Sequence, residues 1–267
     1  MKKGKKCLHL PFLLLLFFSG AAFAQEAQQL LAVPRCPATA GGESADDHEI
    51  RSCAGFLLCY RESFENAEWA GYVITKETLV KAARRKNNFR PDPAVSTGSA
   101  GLADYAGSGY DRGHLVPAAD MMWSEESASE SFLMSNMSPQ KPQLNRGMWK
   151  QLEAKIRACA QQFEAVFVIT GPVLEKPAAE YQSIGKNGVA VPEFFYKAVL
   201  AKDSSGNFSA IGCILPNEKC KGTLSDYIVS VNEAERRTGI DFFSALDDSI
   251  EEEIESQTEN ALAHAVQ

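Results

Sequence analysis

Four consecutive residues, Asp111-Arg112-Gly113-His114, place a carboxylate, a guanidinium and an imidazole side by side in a chain of 267 residues that holds only four histidines. His9 and His48 precede the well-patterned part of the sequence and His264 stands three residues from its end, so a histidine used for proton transfer is His114 by position. A neutral imidazole with an ordinary pKa of ~6.5 can take a proton from water near neutral pH. A planar guanidinium matches phosphate oxygens better than an ammonium does. The plainer reading of the same residues is a histidine held by packing beside a glycine kept for backbone freedom or close approach.

Downstream, SFLMSNMSPQKPQLNRGMWKQLE carries Asn136, Asn145 and Glu153. Leu144, Met148, Leu152, Ile156, Cys159 and Phe163 recur at steps of three or four, which predicts a helix over 144–162. On that helix Asn145 and Glu153 lie roughly 80° apart around the axis and share one side. The competing reading makes Asn145 a helix cap, Glu153 a solvated charge and Trp149 core.

The elements that must position these groups are legible as short apolar runs between turn residues. FLLCYRES, AEWAGYVIT, EAVFVITGPVL, GVAVPEFFYKAVLAKD and NFSAIGCILP read as strands. A second helix begins at Ser230, where Ser230 and Glu233 have capping-box spacing, and stops at Gly239. Strands and helices mix without regular alternation, so the expected class is α+β, a central antiparallel sheet with flanking helices.

The ends differ from this middle. Residues 1–24 combine four lysines, the apolar run Phe12–Phe18 and Ala22-Phe23-Ala24, the layout of a secretory signal peptide, with a run too short to span a bilayer. The expected organisation is a leader over 1–24, a loosely ordered lead-in over 25–50, one folded domain over 51–246 and an acidic tail over 247–267, helical or disordered. A periplasmic or secreted protein without stable membrane association follows. Six cysteines remain after the leader, at spacings that match no common zinc motif, and disulfides are expected, Cys213–Cys220 foremost.

Without the leader the chain has 23 basic and 34 acidic residues, a net charge of −11, and eight of the acids follow Gly239. Such a balance argues against a nucleic-acid partner, but Lys76–Arg90 carries six basic residues against one acid. The chain contains no H-E-x-x-H helix, no G-x-x-x-x-G-K-[ST] phosphate loop and no G-x-S-x-G elbow.

DYAGSGYDRGHLVPAADM followed by FLMSNMSPQKPQLNRGMWKQLE resembles the DNA/RNA non-specific endonuclease family of the ββα-metal superfamily, which includes endonuclease G-like enzymes. The resemblance extends over about 66–245, through AEWAGYVITKET, FRPDPAV, VITGPVL, IGKNGVAVPEFFYKAVL and NEAERRTGIDFF. It implies a ββα-metal active site that hydrolyses phosphodiester bonds of DNA and RNA with little sequence preference and leaves 5′-phosphate ends. His114 would be the general base, Asn145 the one direct protein ligand of Mg²⁺ (or Mn²⁺ in its place), and Glu153 the holder of metal-bound waters. Arg112 would contact the scissile phosphate, Asn136 would help set the site, and Asp111 would orient its neighbours. The family commonly has a further phosphate-binding arginine where Asn87 and Asn88 stand here, which leaves Arg84, Arg85 and Arg90 as candidates. A homodimer is one state the resemblance allows. The alternatives are a non-catalytic nucleic-acid-binding protein of the same fold, which would be expected to lack one of His114, Asn145 and Glu153, and a phosphodiesterase acting on smaller substrates.

Overall fold

The computed structural model describes residues 33–34 and 47–267; the leader, Cys7, His9, Cys36 and most of the lead-in lie outside them. Eleven strands are formed by the described residues: β1 (His48–Cys53), β2 (Phe56–Arg61), β3 (Asn66–Thr75), β4 (Asp111–His114), β5 (Met137–Gln140), β6 (Ala165–Pro172), β7 (Ser183–Ile184), β8 (Val189–Ala190), β9 (Phe194–Lys202), β10 (Phe208–Pro216) and β11 (Ile228–Val229). Seven of them build one antiparallel sheet in the order β1-β2-β3-β6-β9-β10-β11, while β4 pairs with β5 and β7 with β8. The fold is α+β, as the mixed pattern of runs predicts.

The central strands explain why their sequences lack polar alternation. All eight residues of β6 are buried, because each face of the sheet packs against its own apolar cluster. Tyr72, Ile74, Val166, Val168, Phe195 and Val199 point to one face; Trp69, Phe167, Ile169, Tyr196, Ala198 and Leu200 point to the other. Two-sided burial favours continuous apolar runs over period-two patterning.

The helices are α1 (Leu102–Tyr105), α2 (Glu125–Glu130), α3 (Lys150–Cys159), α4 (Val231–Thr238), α5 (Asp248–Glu255) and α6 (Ala261–Val266). Trp149, Leu152, Ile156 and Cys159, all fully buried, bring α3 against the first face. Val231, Ala234 and Ile254 bring α4 and α5 against the second. The α4 boundaries follow the sequence signals: Ser230 Oγ accepts from Glu233 N at 3.1 Å, and Gly239 takes φ 70°.

Three expectations about the ends and the cysteines are corrected. The sheet begins at His48, inside the expected lead-in, because residues 48–53 pair in full register with β2. Residues 247–267 are not an appended tail: Leu262, Ala263 and Val266 are wholly buried in the first cluster and Ile254 packs in the second. Acidity hid these few apolar contacts. The Cys213–Cys220 bridge is absent, both thiols being free, as are those of Cys53 and Cys159. Cys213 is buried within β10 opposite Lys197 and Ile228, and burial pushes its thiol up to about 12. Cys220 lies beyond the strand end with Sγ 4.0 Å from the Pro216 carbonyl oxygen and 3.8 Å from that of Glu218. Closeness in sequence does not align the Cβ vectors that a disulfide needs.

Candidate active site

The ribbon β4–β5 and the helical segment after it form a ββα unit. Asp111 pairs with Gln140, Arg112 with Pro139, Gly113 with Ser138 and His114 with Met137. Gly113 is required by close approach: a Cβ there would meet the buried Gln140 side chain at 2.3 Å. Of the two readings of this glycine, backbone freedom and close approach, the second holds: it leaves room for Gln140.

After β5 the chain enters α3 through a wide turn over Leu144–Trp149, in which Gly147 departs from helical geometry (φ −104°, ψ −114°). Wide turns of this π type recur at functional positions. Asn145 lies in this turn and Glu153 in the first turn of α3, so the predicted helix is kinked between its two proposed metal-binding residues.

Both face a cavity of about 640 Å³ that is also lined by Arg85, Asp111, Arg112, His114, Arg146, Lys150 and Arg157. Asp111 organises one wall. Asn145 Nδ2 donates to Asp111 Oδ2 at 2.9 Å, and Arg146 donates to both oxygens at 2.8 and 2.6 Å. Burial works against the Asp111 carboxylate, but these hydrogen bonds outweigh it and hold its pKa below the ordinary value.

His114 stands between the rings of Phe89 and Phe132, at centroid distances of 5.6 and 5.1 Å. Its Nε2 is buried and has no hydrogen-bond partner. Burial, followed by the charges of Arg85 and Arg112, pushes its pKa down to about 3, so the imidazole is neutral throughout the physiological range. Arg112 stacks over Phe89 at 4.4 Å and Arg85 over Phe132 at 5.2 Å, so the aromatic pair that shields His114 also seats the two guanidiniums.

The three candidate arginines separate cleanly. Arg85 lines the cavity, its Nε held by Asn87 Oδ1 at 2.8 Å in a turn where Asn87 takes φ 48°. Arg84 is exposed and lines no part of the cavity. Arg90 also lies off the cavity; its guanidinium donates to the carbonyls of Asn88 and Ser129 at 3.3 and 2.9 Å. Asn136 is likewise not a cavity residue. Wholly buried, it accepts from Val116 N and donates to the Val116 and Ser131 carbonyls, clamping the loop that follows His114.

Sequence reasoning missed Arg157, Lys150 and Arg146. Arg157 follows Glu153 by four residues on α3, a spacing that places two side chains on one helix face and could have flagged it. It bonds the buried carboxylate of Asp120. Beneath them Lys197, wholly buried on β9, places Nζ 3.1 Å from Thr170 Oγ1, 3.4 Å from the Leu115 carbonyl oxygen and 4.4 Å from the Trp149 ring centroid. Burial raises the Glu153 pKa against the pull of Lys197, with Asp120 adding to the rise. Any cation brought into the cavity would favour its ionised form.

The donor set fits a hard cation. With the Asn145 amide nitrogen engaged by Asp111, its oxygen is the donor that remains, and the Glu153 carboxylate lines the same cavity. One amide oxygen and one carboxylate are the sparse oxygen set that Mg²⁺ accepts while keeping most of its water. The cavity walls otherwise carry four arginines and a lysine, a lining suited to phosphate oxygens.

Residues 39–249 match the model of the DNA/RNA non-specific endonuclease family. Among curated proteins, the chain is 36% identical over 211 residues to "Nuclease EXOG, mitochondrial" of Danio rerio, covering 74% of this chain and 62% of that protein. It is 34% identical over 233 residues to "Endonuclease G, mitochondrial" of Bos taurus, covering 81% and 78%. A "Nuclease" of Nostoc sp. is 35% identical over 218 residues, covering 77% of each chain. A chain from the crystal structure of the EndoG/EndoGI complex superposes with a TM-score of 0.69 at 29% identity, covering 74% of this chain and 86% of that one.

Proposed function

The chain belongs to the DNA/RNA non-specific endonuclease family, and from that premise we propose that it is an exported, Mg²⁺-dependent nuclease cleaving DNA and RNA with His114 as general base. The observation that carries this reading is a half-buried imidazole, neutral and with its Nε2 shielded and unpartnered, in one cavity with two flanking arginines, Asn145 and Glu153.

Each residue has a task set by its surroundings. A phosphate drawn between Arg85 and Arg112 offsets the charges that, after burial, depress His114. The imidazole therefore becomes more basic as substrate binds, when it must take a proton from the attacking water. Phe89 and Phe132 fix the ring plane. Arg157 is held by Asp120 with its charge toward the cavity, and Asn136 keeps the backbone after His114 in place. Asn145 would hold Mg²⁺, or Mn²⁺ in its place, with Glu153 retaining its waters; when bound, the ion supplies charge stabilisation at the phosphate and the leaving oxygen. Loss of the 3′ oxygen leaves phosphate on the 5′ end.

The side chains of the cavity are suited to phosphate, metal and water, which supports cleavage with little regard for sequence. The lysine-rich leader, with its short apolar run, supports export to a periplasm or beyond. A homodimer is compatible with the family and is tested by sedimentation. The deciding experiment is incubation of plasmid DNA and RNA with the purified protein, with Mg²⁺ and with chelator. Cleavage of both polymers, abolished by chelator and by His114→Ala, is expected. Hydrolysis of small diesters alone, or binding without cleavage, would overturn the reading.

A further inference from the structure

On the sheet face opposite His114, three potential metal ligands of different chemistry meet across β1, β2 and β3. His48 Nδ1 lies 2.8 Å from Glu68 Oε1 and 3.8 Å from Cys59 Sγ, and the three ligand atoms all lie within 4.8 Å of one another. None of the three lines the nuclease cavity. Cys59 packs in the second apolar cluster with Trp69, while its neighbours Leu58 and Tyr60 belong to the first, so its side chain points away from the catalytic face.

From this juxtaposition we propose that His48, Cys59 and Glu68 form a second metal site, selective for a zinc-class divalent ion and separate from the catalytic Mg²⁺. Thiolate and imidazole are ligands that Zn²⁺ takes and Mg²⁺ does not favour, and a carboxylate is a third ligand type that zinc accepts, leaving the fourth position to water. Nδ1 hydrogen-bonds Oε1 at 2.8 Å and lies 3.8 Å from Sγ, so opening the first contact by about 0.5 Å would bring both to the separation of neighbouring ligands around a tetrahedral ion. One thiolate and one carboxylate offset the charge of a divalent ion, which lowers the cost of ionising Cys59, only 1% exposed. Arg61 Nη1 lies 3.9 Å from Glu68 Oε2, but the guanidinium is held at 3.1 Å by Asp47 from both Nε and Nη2.

The site staples the edge of the sheet. β1 is an edge strand that follows the export leader, and an ion bound by β1, β2 and β3 would fix it to the strands behind it. Binding replaces the Cys59 S–H bond with a metal–sulfur bond and releases the proton to solvent, so affinity should rise with pH.

The test is titration of the full chain with Zn²⁺ under saturating Mg²⁺, and with Co²⁺ as a spectroscopic probe. We expect one tightly bound Zn²⁺, release of about one proton, a rise in melting temperature, and a near-ultraviolet thiolate-to-cobalt charge-transfer band. The nuclease cavity contains no cysteine, so that band does not come from the catalytic site, and Cys59→Ser separates it from the other thiols. Cys59→Ser should abolish the band, and His48→Ala should weaken zinc binding by at least the ~10–100-fold that loss of a supporting group costs. His48 is half-buried at the first position of an edge strand, so His48→Ala keeps the test open if Cys59→Ser fails to fold. Mg²⁺-dependent cleavage should persist in both variants, which separates this inference from the catalytic reading. No cobalt band, a band that survives Cys59→Ser, or zinc affinity unchanged in His48→Ala would overturn it.

Discussion

The protonation of His114 can be read directly. An unburied imidazole with pKa ~6.5 is about ten-elevenths protonated at pH 5.5. At about 3, His114 would be under ~1% protonated at that pH, so its ring signals should stay flat from about pH 8 down to pH 5. The assay is NMR of ¹³C-labelled histidine in the metal-free protein, with His114 assigned by its loss in His114→Asn. Arg112→Gln removes one of the two depressing charges and should move the midpoint upward, while burial, the larger cause, keeps it below the ordinary value. Stability carries the same signature. Because the folded pKa lies below the unfolded one, neither state binds the proton above about pH 6.5; as pH falls below that, the unfolded chain takes up a proton that the folded chain refuses, and stability drops. At about 1.4 kcal/mol per unit, this amounts to roughly 3 kcal/mol by about pH 4, and His114→Asn should abolish it. A His114 midpoint near 6.5 would refute the argument that burial and paired arginines keep the base neutral.

Removing the Arg157 charge as Arg157→Met strands the buried Asp120 carboxylate; an uncompensated buried charge costs about 3–5 kcal/mol, measurable by denaturant unfolding, and Asp120→Asn in the same chain should recover part of it. Glu153→Ala should lower Mg²⁺ affinity or activity by about 10–100-fold and be partly rescued by added Mg²⁺, whereas Asn145→Ala should lose more and recover less; identical metal titrations for both variants and wild type would remove them from the site. Deleting residues after Leu246 exposes the contacts of Leu262 and Val266, each worth about 1.5–3 kcal/mol, so the melting temperature should fall by many degrees despite the relief of negative charge; an unchanged transition would show that α6 does not belong to the core.

What could be read from sequence was what depends on local pattern. The strand runs and the Ser230 cap follow from spacing along one segment and have their counterparts in the fold, whereas Asn145 and Glu153 line one cavity across a kink that spacing does not reveal. Pairings that form only when distant segments meet were illegible. Arg157 acquires its place through Asp120, 37 residues earlier, and Lys197 enters from β9 beneath both halves of the site. The choice of Arg85 over Arg84 and Arg90 depends on side-chain direction in an irregular loop, which composition cannot encode. Asn136 lies outside the cavity and its amide is taken up by backbone groups around Val116 and Ser131, partners that spacing along the chain does not reveal. The C-terminal helices were misread because eight acids mask the apolar positions that dock them.

The wide turn at Leu144–Trp149 makes the aim of Asn145 a matter of counting. In a regular helix each residue advances about 100° around the axis. Deleting one residue between Asn145 and Trp149 would let the segment relax toward regular winding while α3, anchored by Leu152 and Ile156, stayed put. Asn145 would then swing around the axis with its chemistry intact and its direction lost. Length at this turn is therefore under the same constraint as the identity of the residue it presents, and single-residue insertions or deletions here should be as damaging as substitution of Asn145 itself.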